Sequence, residues 1–278
     1  LIGKGTSYGA ITVMNAMPCG IGSTIGITLK TVATFRPSDG IKEVGITNDP
    51  SENKEMAKIC VSEAYKRMGI EEPDGWLLNI SSEIPISRGL KSSSSACNAI
   101  ISSIMQAERY DIDAVEKIRL GVECARKAKV TVTGAFDDAC GCELGGLVIT
   151  DNRIDSILFR EDIREYDVLI HAPKKKIRKT GLPLEGLRSI SSQMEKLADI
   201  ARTDPFKAMT ENGRLIADVS GIDNGLADYA MENGALGAGV SGSGPAVAIV
   251  LEQGDAEDFI SRTGLVGLIC SRTRRPIE

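Results

Sequence analysis

The sequence predicts an α+β protein of two domains, on three observations. Strand-like and helix-like segments follow one another without the regular alternation of a doubly wound sheet. At 278 residues, 42% of them apolar, the chain is long enough to bury the cores of two small domains. Its 29 glycines gather in clusters while aromatic residues make up only 4% of the chain, which implies tight turns and close backbone approaches around an aliphatic core.

Residues 8–16 (YGAITVMNA) read as a strand, and Gly20, Gly22 and Gly26 space the segment leading to an alternating strand over 27–35. Asp49, Pro50 and Glu52 fit the N-cap, N1 and N3 positions of a helix running to Gly69, with Met56, Ile59, Cys60 and Tyr65 at helical spacing. A strand over 76–82 enters a loop over 83–91, after which Ala96, Ala99, Ile100, Ser103, Ile104 and Ala107 mark one helix face. Asp113 and Glu116 make a second capping box ahead of the stripe Val115, Ile118, Val122 and Ala125. The glycine-rich, acidic stretch 134–146 leads to a strand over 147–150. The turn at Asp151-Asn152 then sets the expected boundary between a domain at 1–150 and one at 151–278. The second half reads as a strand over 168–172, helices near 185–201, 205–219 and 224–233, and strands over 246–251 and 266–271.

Thirty-three basic against 38 acidic residues leave a net charge of −5, which argues against a nucleic acid or an anionic membrane as partner. Apolar runs such as 245–251 fall far short of the ~20 residues that span a bilayer, and no basic-then-apolar leader opens the sequence. A soluble, cytoplasmic protein is expected. The seven cysteines are odd in number and scattered, so reduced, buried thiols are expected, and the pair Cys140 and Cys142 lacks the companions of a zinc site. The single histidine, His171, reads as a packed strand end rather than a catalyst.

Three segments carry chemistry. Pro85, Ile86, Ser87, Arg88, Gly89, Leu90, Lys91, Ser92, Ser93, Ser94 and Ser95 lie between a strand and a helix. There a glycine admits a ligand to the backbone and the helix start offers unpaired N–H groups to phosphate. The spacing is not that of the common P-loop, because Leu90 stands where that motif needs glycine. Asp137 and Asp138, adjacent in the stretch 134–146, offer a base or a metal ligand. The third segment, 237–245, superficially suggests a dinucleotide fingerprint, but Pro245 and a strand follow it where that motif opens a helix.

Together these segments resemble, in order and spacing across nearly the whole chain, the motifs of the GHMP kinase superfamily. Residues 85–93 are similar to its P-x-x-x-G-L-x-S-S signature and 241–245 to its C-terminal glycine motif. The stretches GAITVMNA, GLKSSSSA and TGAFDDACG, with Lys91 in place of the usual glycine, are most similar to archaeal shikimate kinases. The resemblance implies two α+β domains with ATP and substrate between them, and ATP-dependent phosphorylation of shikimate to shikimate 3-phosphate. It implies residues 85–95 around the ATP phosphates, Asp137 as the catalytic aspartate with Asp138 as the alternative, and Mg²⁺ held by Ser93 and Glu123. Arg88 and the basic run at 174–179 are candidates to meet the carboxylate of shikimate. Two other readings stay open: another small-molecule kinase of the superfamily, homoserine kinase foremost, and a non-catalytic nucleotide-binding module.

Overall fold

The protein is described from a computed structural model, over residues 1–47, 49–131, 133–173 and 183–276. Its first half is built on one long strand. β2 (Ile21–Ser38) pairs antiparallel with β1 (Gly3–Met14) along most of its length. It also takes β5 (Leu147–Asp151) along its first residues and β4 (Gly75–Ser82) along its last. β3 (Lys42–Ile46) adds in parallel to β4, and β6 (Ser156–Glu161) closes the other side on β5. This sheet therefore runs on past the expected boundary at 150 through Glu161.

The helices α1 (Glu55–Met68), α2 (Ser92–Glu108), α3 (Ala114–Lys127) and α4 (Phe136–Leu144) belong to this half. Phe35, Tyr65 and Trp76 centre a core between the sheet and α1 to α3, with ring centroids about 6 Å apart. A strand-like alternation is interrupted in β2 by Gly22 and Gly26, which the sequence places in a connecting segment. Both lie inside the strand because α4 packs directly on it: a Cβ on Gly22 would meet the Asp137 carboxylate, and one on Gly26 would fall 2.9 Å from the Gly141 carbonyl oxygen.

Two capping expectations have different outcomes. Asp113 accepts the Glu116 N–H at 2.9 Å and starts α3 as expected. Asp49 instead accepts the Ser51 hydroxyl and closes a turn, while the Asn53 side chain takes the Glu55 N–H, so α1 starts at Glu55 rather than at Pro50.

The second half has a four-stranded sheet in the order β10 (Ile269–Arg272), β7 (Asp167–His171), β9 (Val247–Leu251), β8 (Gly237–Val240). Against it lie α5 (Leu184–Ser189), α6 (Ser191–Thr203), α7 (Pro205–Ser220), α8 (Gly225–Glu232) and α9 (Ala256–Thr263). The helix expected over 185–201 is divided at Ile190. Ile11, Val13, Ile25 and Leu147 of the first sheet share one buried cluster with Val168, Ile170 and Val250 of the second, so the halves are joined by a core. All seven cysteines are free thiols, and only Cys270 is exposed. Among the described residues no helix is long and apolar enough to cross a membrane.

Candidate active site

Residues 85–91 connect β4 to α2, and three of them take left-handed backbone: Ser87 (φ 57°), Gly89 (φ 88°) and Lys91 (φ 66°). Lys91 occupies the N-cap of α2 and supplies no side-chain cap, so the first-turn N–H groups of that helix have no side-chain acceptor. That is the electropositive end an anion would meet. The four serines do not act alike. Ser92 and Ser93 face outward, whereas Ser94 and Ser95 are buried along the inner side of the helix. The Arg88 guanidinium is engaged by carbonyl oxygens, Nε donating to Pro173 at 2.5 Å and Nη1 to Ile86 at 3.1 Å.

The loop is fastened to the turn after β8. Ser241 Oγ donates to the Gly89 carbonyl at 2.9 Å and accepts the Thr12 N–H at 3.2 Å. The Gly242 N–H reaches Thr12 Oγ1 at 2.8 Å, and Asn15 Nδ2 donates to the Gly242 carbonyl at 2.9 Å. Gly89 has no room for a side chain: a Cβ would strike the Ser241 carbonyl. The bare Cα thus seats the loop on the second half of the chain.

The acids stand in the first turn of α4, entered through Gly134 (φ 89°) and Ala135 (φ 55°). Asp137 is 4% exposed. Its N–H donates to Asn152 Oδ1 at 3.1 Å while Asn152 Nδ2 donates to its Oδ1 at 2.7 Å. Thr150 Oγ1 holds that Asn152 oxygen at 2.8 Å, and Thr24 Oγ1 donates to the Asp137 carbonyl at 2.9 Å. Burial, and next the charge of Asp138, push the Asp137 carboxyl up to about 6, against the opposing pull of Lys91 and Asn152. Asp138 pairs with Lys91, Nζ to Oδ1 at 2.6 Å, with the two side chains 15% and 5% exposed. Burial pulls the Lys91 ammonium down, but Asp138 and then Asp137 outweigh it and raise it above its ordinary range. A basic loop residue and an acidic helix residue thus meet over the same space.

The other end of α4 is capped from far along the chain. Arg274 Nη2 donates to the carbonyls of Gly141, Cys142 and Glu143, and its guanidinium stacks 4.3 Å over the Tyr8 ring. Beside α4's first turn lies a cavity of about 460 Å³. The β1–β2 connection, the end of α3, Thr133, Gly134, Asn152 and Arg153 line it.

Not every expected residue reaches this place. Glu123 is 53% exposed on α3, paired with Lys127 at 2.8 Å and close to Lys66 and Arg67, and none of its recorded bonds leads to Ser93 or the acids. Glu123 therefore stands in an i,i+4 ion pair on the surface of α3. The basic run at 174–179 lies outside the described residues. Conversely, Asn152, Arg126, Arg153 and Arg274 enter or support the site without a sequence motif to mark them. Asn152 reads from the sequence only as a turn residue, and its partner stands 15 positions earlier.

The family model for the N-terminal domain of GHMP kinases matches residues 54–146, and that for their C-terminal domain matches 194–263. The shikimate kinase of Methanocella arvoryzae is 38% identical over 260 residues, covering 93% of this chain and 88% of that protein. That of Pyrococcus furiosus is 36% identical, covering 91% and 92%. In fold, the chain is similar to the mevalonate kinase of Methanococcus jannaschii (TM-score 0.80, 15% identity, 100% and 98% covered). It is also similar to the homoserine kinase of Cytophaga hutchinsonii (TM-score 0.72, 15% identity, 98% and 95% covered).

Proposed function

The chain belongs to the GHMP kinase family, and on that premise we propose that it transfers the γ-phosphoryl group of ATP to the 3-hydroxyl of shikimate. The observation that carries the reading is the meeting of Lys91, Asp138 and Asp137 beside the uncapped start of α2. Residues 85–93 cradle the ATP phosphates through backbone N–H groups and the Ser92 and Ser93 hydroxyls. Ser94 contributes only its main chain, because its side chain is buried, and the N–H of the buried Ser95 is already given to the Lys91 carbonyl. Lys91 faces the transferred group with a charge that Asp138 keeps in place.

The acceptor hydroxyl attacks the γ-phosphorus, the bond to the β-phosphate oxygen breaks, and ADP leaves with that electron pair. Asp137 takes the hydroxyl proton. A carboxyl raised to about 6 is ionised at neutral pH yet basic enough to accept it. Asn152 donates to Oδ1 and so holds the carboxylate in one orientation. Magnesium suits hard oxygen donors, and Ser93 Oγ, Glu123 and the part-exposed Asp138 carboxylate are the candidates to hold it, each carboxylate now paired with a lysine. When bound it would neutralise negative charge on the phosphates.

ADP release measured with shikimate, homoserine and mevalonate tests the reading. Shikimate is expected to give the highest kcat/KM, with phosphorus NMR locating the product phosphate on the 3-hydroxyl. A better rate with homoserine would move the substrate while keeping the kinase.

A further inference from the structure

The geometry points to Arg126 and Arg153 as a clamp for the carboxylate of the acceptor, a role expected of Arg88 or the run at 174–179. Arg126 stands on the last turn of α3 and Arg153 directly follows Asn152, and both line the 460 Å³ cavity. Each lies across a glycine of positive φ. A Cβ on Gly134 would fall 2.6 Å from the guanidinium carbon of Arg126, and one on Gly20 would fall 2.6 Å from Arg153 Cγ. Glycine at these two positions is what lets both arginines lie along the cavity wall.

Each guanidinium is braced from behind. Arg126 Nη1 and Nη2 donate to Asp155 at 2.6 and 2.9 Å, and Arg153 Nε and Nη2 donate to Asp151 at 2.8 and 2.6 Å. Neither aspartate lines the cavity, and each is less exposed than the arginine it pairs with, so the carboxylates hold the guanidiniums from the protein side. Nε of Arg126 and Nη1 of Arg153 stand outside these pairs and remain to donate to a ligand. Planar forks held in one orientation suit a planar carboxylate.

Asn152 sets the distance to the chemistry, since it lines the cavity and holds the Asp137 carboxylate at 2.7 Å. An acceptor whose hydroxyl meets Asp137 would place its other end in this cavity. Its size falls within the roughly 300–1,000 Å³ of small-molecule sites. Arg88 does not line this cavity, and its Nε and Nη1 donate to the Pro173 and Ile86 carbonyls. The inference rests on the reading of the chain as a kinase of a hydroxy acid, whichever acid that is.

The test compares Arg153→Gln, Arg126→Gln and Arg153→Lys with the wild type. The substrates are the best hydroxy acid of the panel above and its methyl ester, with ATP varied separately. Arg153 is 58% exposed and bonded within its own turn, so its replacement is not expected to unfold the chain, which a melting curve checks. Each Gln variant should raise KM for the acid about 10- to 100-fold, as loss of a charge-assisted pair does, with KM for ATP unchanged. The lysine variant should recover part of the loss. On the ester, wild type and variants should be equally poor. Unchanged KM for the acid in both Gln variants, or equal losses on acid and ester, would overturn the clamp. If the wild type prefers an acid other than shikimate, the substrate assignment fails while the clamp is tested on that acid. If it phosphorylates only uncharged alcohols, the clamp fails with it.

Discussion

The loop at 85–91 and the acid turn meet through Lys91 and Asp138 but are held in opposite ways. Residues 85–91 are shaped by their backbone: two left-handed residues flank a left-handed glycine, and the Gly89 and Arg88 carbonyls are bonded by the Ser241 hydroxyl and the Ala246 N–H. The acid turn is shaped by side chains, with Asn152, Thr24 and Lys91 converging on Asp137 and Asp138 from three separate elements. A binding surface made of N–H groups needs only its conformation kept. A base needs its environment kept, because burial and neighbouring charge decide where it titrates. Substitutions should therefore separate the two, loop changes altering nucleotide affinity and acid-turn changes altering turnover and its pH dependence.

The largest effect is expected from Asp137→Asn. Turnover should fall by roughly 10²- to 10⁴-fold, the usual contribution of a general base, while calorimetric titration with an ATP analogue finds affinity retained. Turnover near that of the wild type would instead move the base to Asp138. The same variant tests the electrostatics. Asp137 titrates near 6 in the fold against about 3.9 unfolded, so between those values the native state holds a proton that the unfolded chain has released. Stability falls as pH rises through that window, and above it the burial of the charge costs on the order of 3 kcal/mol at most. The asparagine variant should accordingly melt higher than the wild type at pH 8, with the gap closing below about pH 4.

Next in size is Gly89→Ala. A methyl group there meets the Ser241 carbonyl and must hold a left-handed backbone, so a stability loss of about 1–3 kcal/mol is expected. KM for ATP should rise, and the acid limb of the pH profile should not move. Ser241→Ala, which removes one bond to the same loop, should cost about 1 kcal/mol by thermal denaturation.

The smallest effect falls on titration alone. In the wild type kcat should rise with pH through about 6, as Asp137 ionises. Asn152→Ala removes the donor to the ionised form and should move that limb upward by roughly one pH unit, the equivalent of one hydrogen bond. An unmoved limb would mean that Asn152 does not govern the base.

What could be read in advance follows the same division. The loop announces itself locally, since Gly89, Lys91 and the serine run are contiguous and sit between a clear strand and a clear helix. Asp137 and Asp138 are equally visible, but not the means by which one is neutralised and the other raised. The first depends on Lys91, 47 positions from Asp138, and the second on burial and the Asp138 charge, which Asn152, 15 positions from Asp137, opposes. Glu123 pairs with Lys127 four residues on, a helical spacing that the sequence itself displays. Gly22 and Gly26, by contrast, mislead. A glycine makes a turn or admits a neighbour, and only the packing of α4 on β2 selects the second. The sheet's extension to β6 was hidden because Asp151-Asn152 makes a hairpin turn within one sheet rather than a passage between two.

The seat of Gly89 on Ser241, spanning 152 positions of the chain, also limits how a gene of this kind could be divided or recombined. A fragment ending after β6 would carry α2, α4 and both acids, yet its phosphate loop would lack the turn that receives it. A fragment beginning there would carry the turn and nothing for it to hold. The two pieces would depend on one another as subunits do, and complementation between them would report directly on this seam. Exchange of one half for that of a distant relative would have to bring along a turn able to accept a bare glycine and return a hydroxyl to its carbonyl.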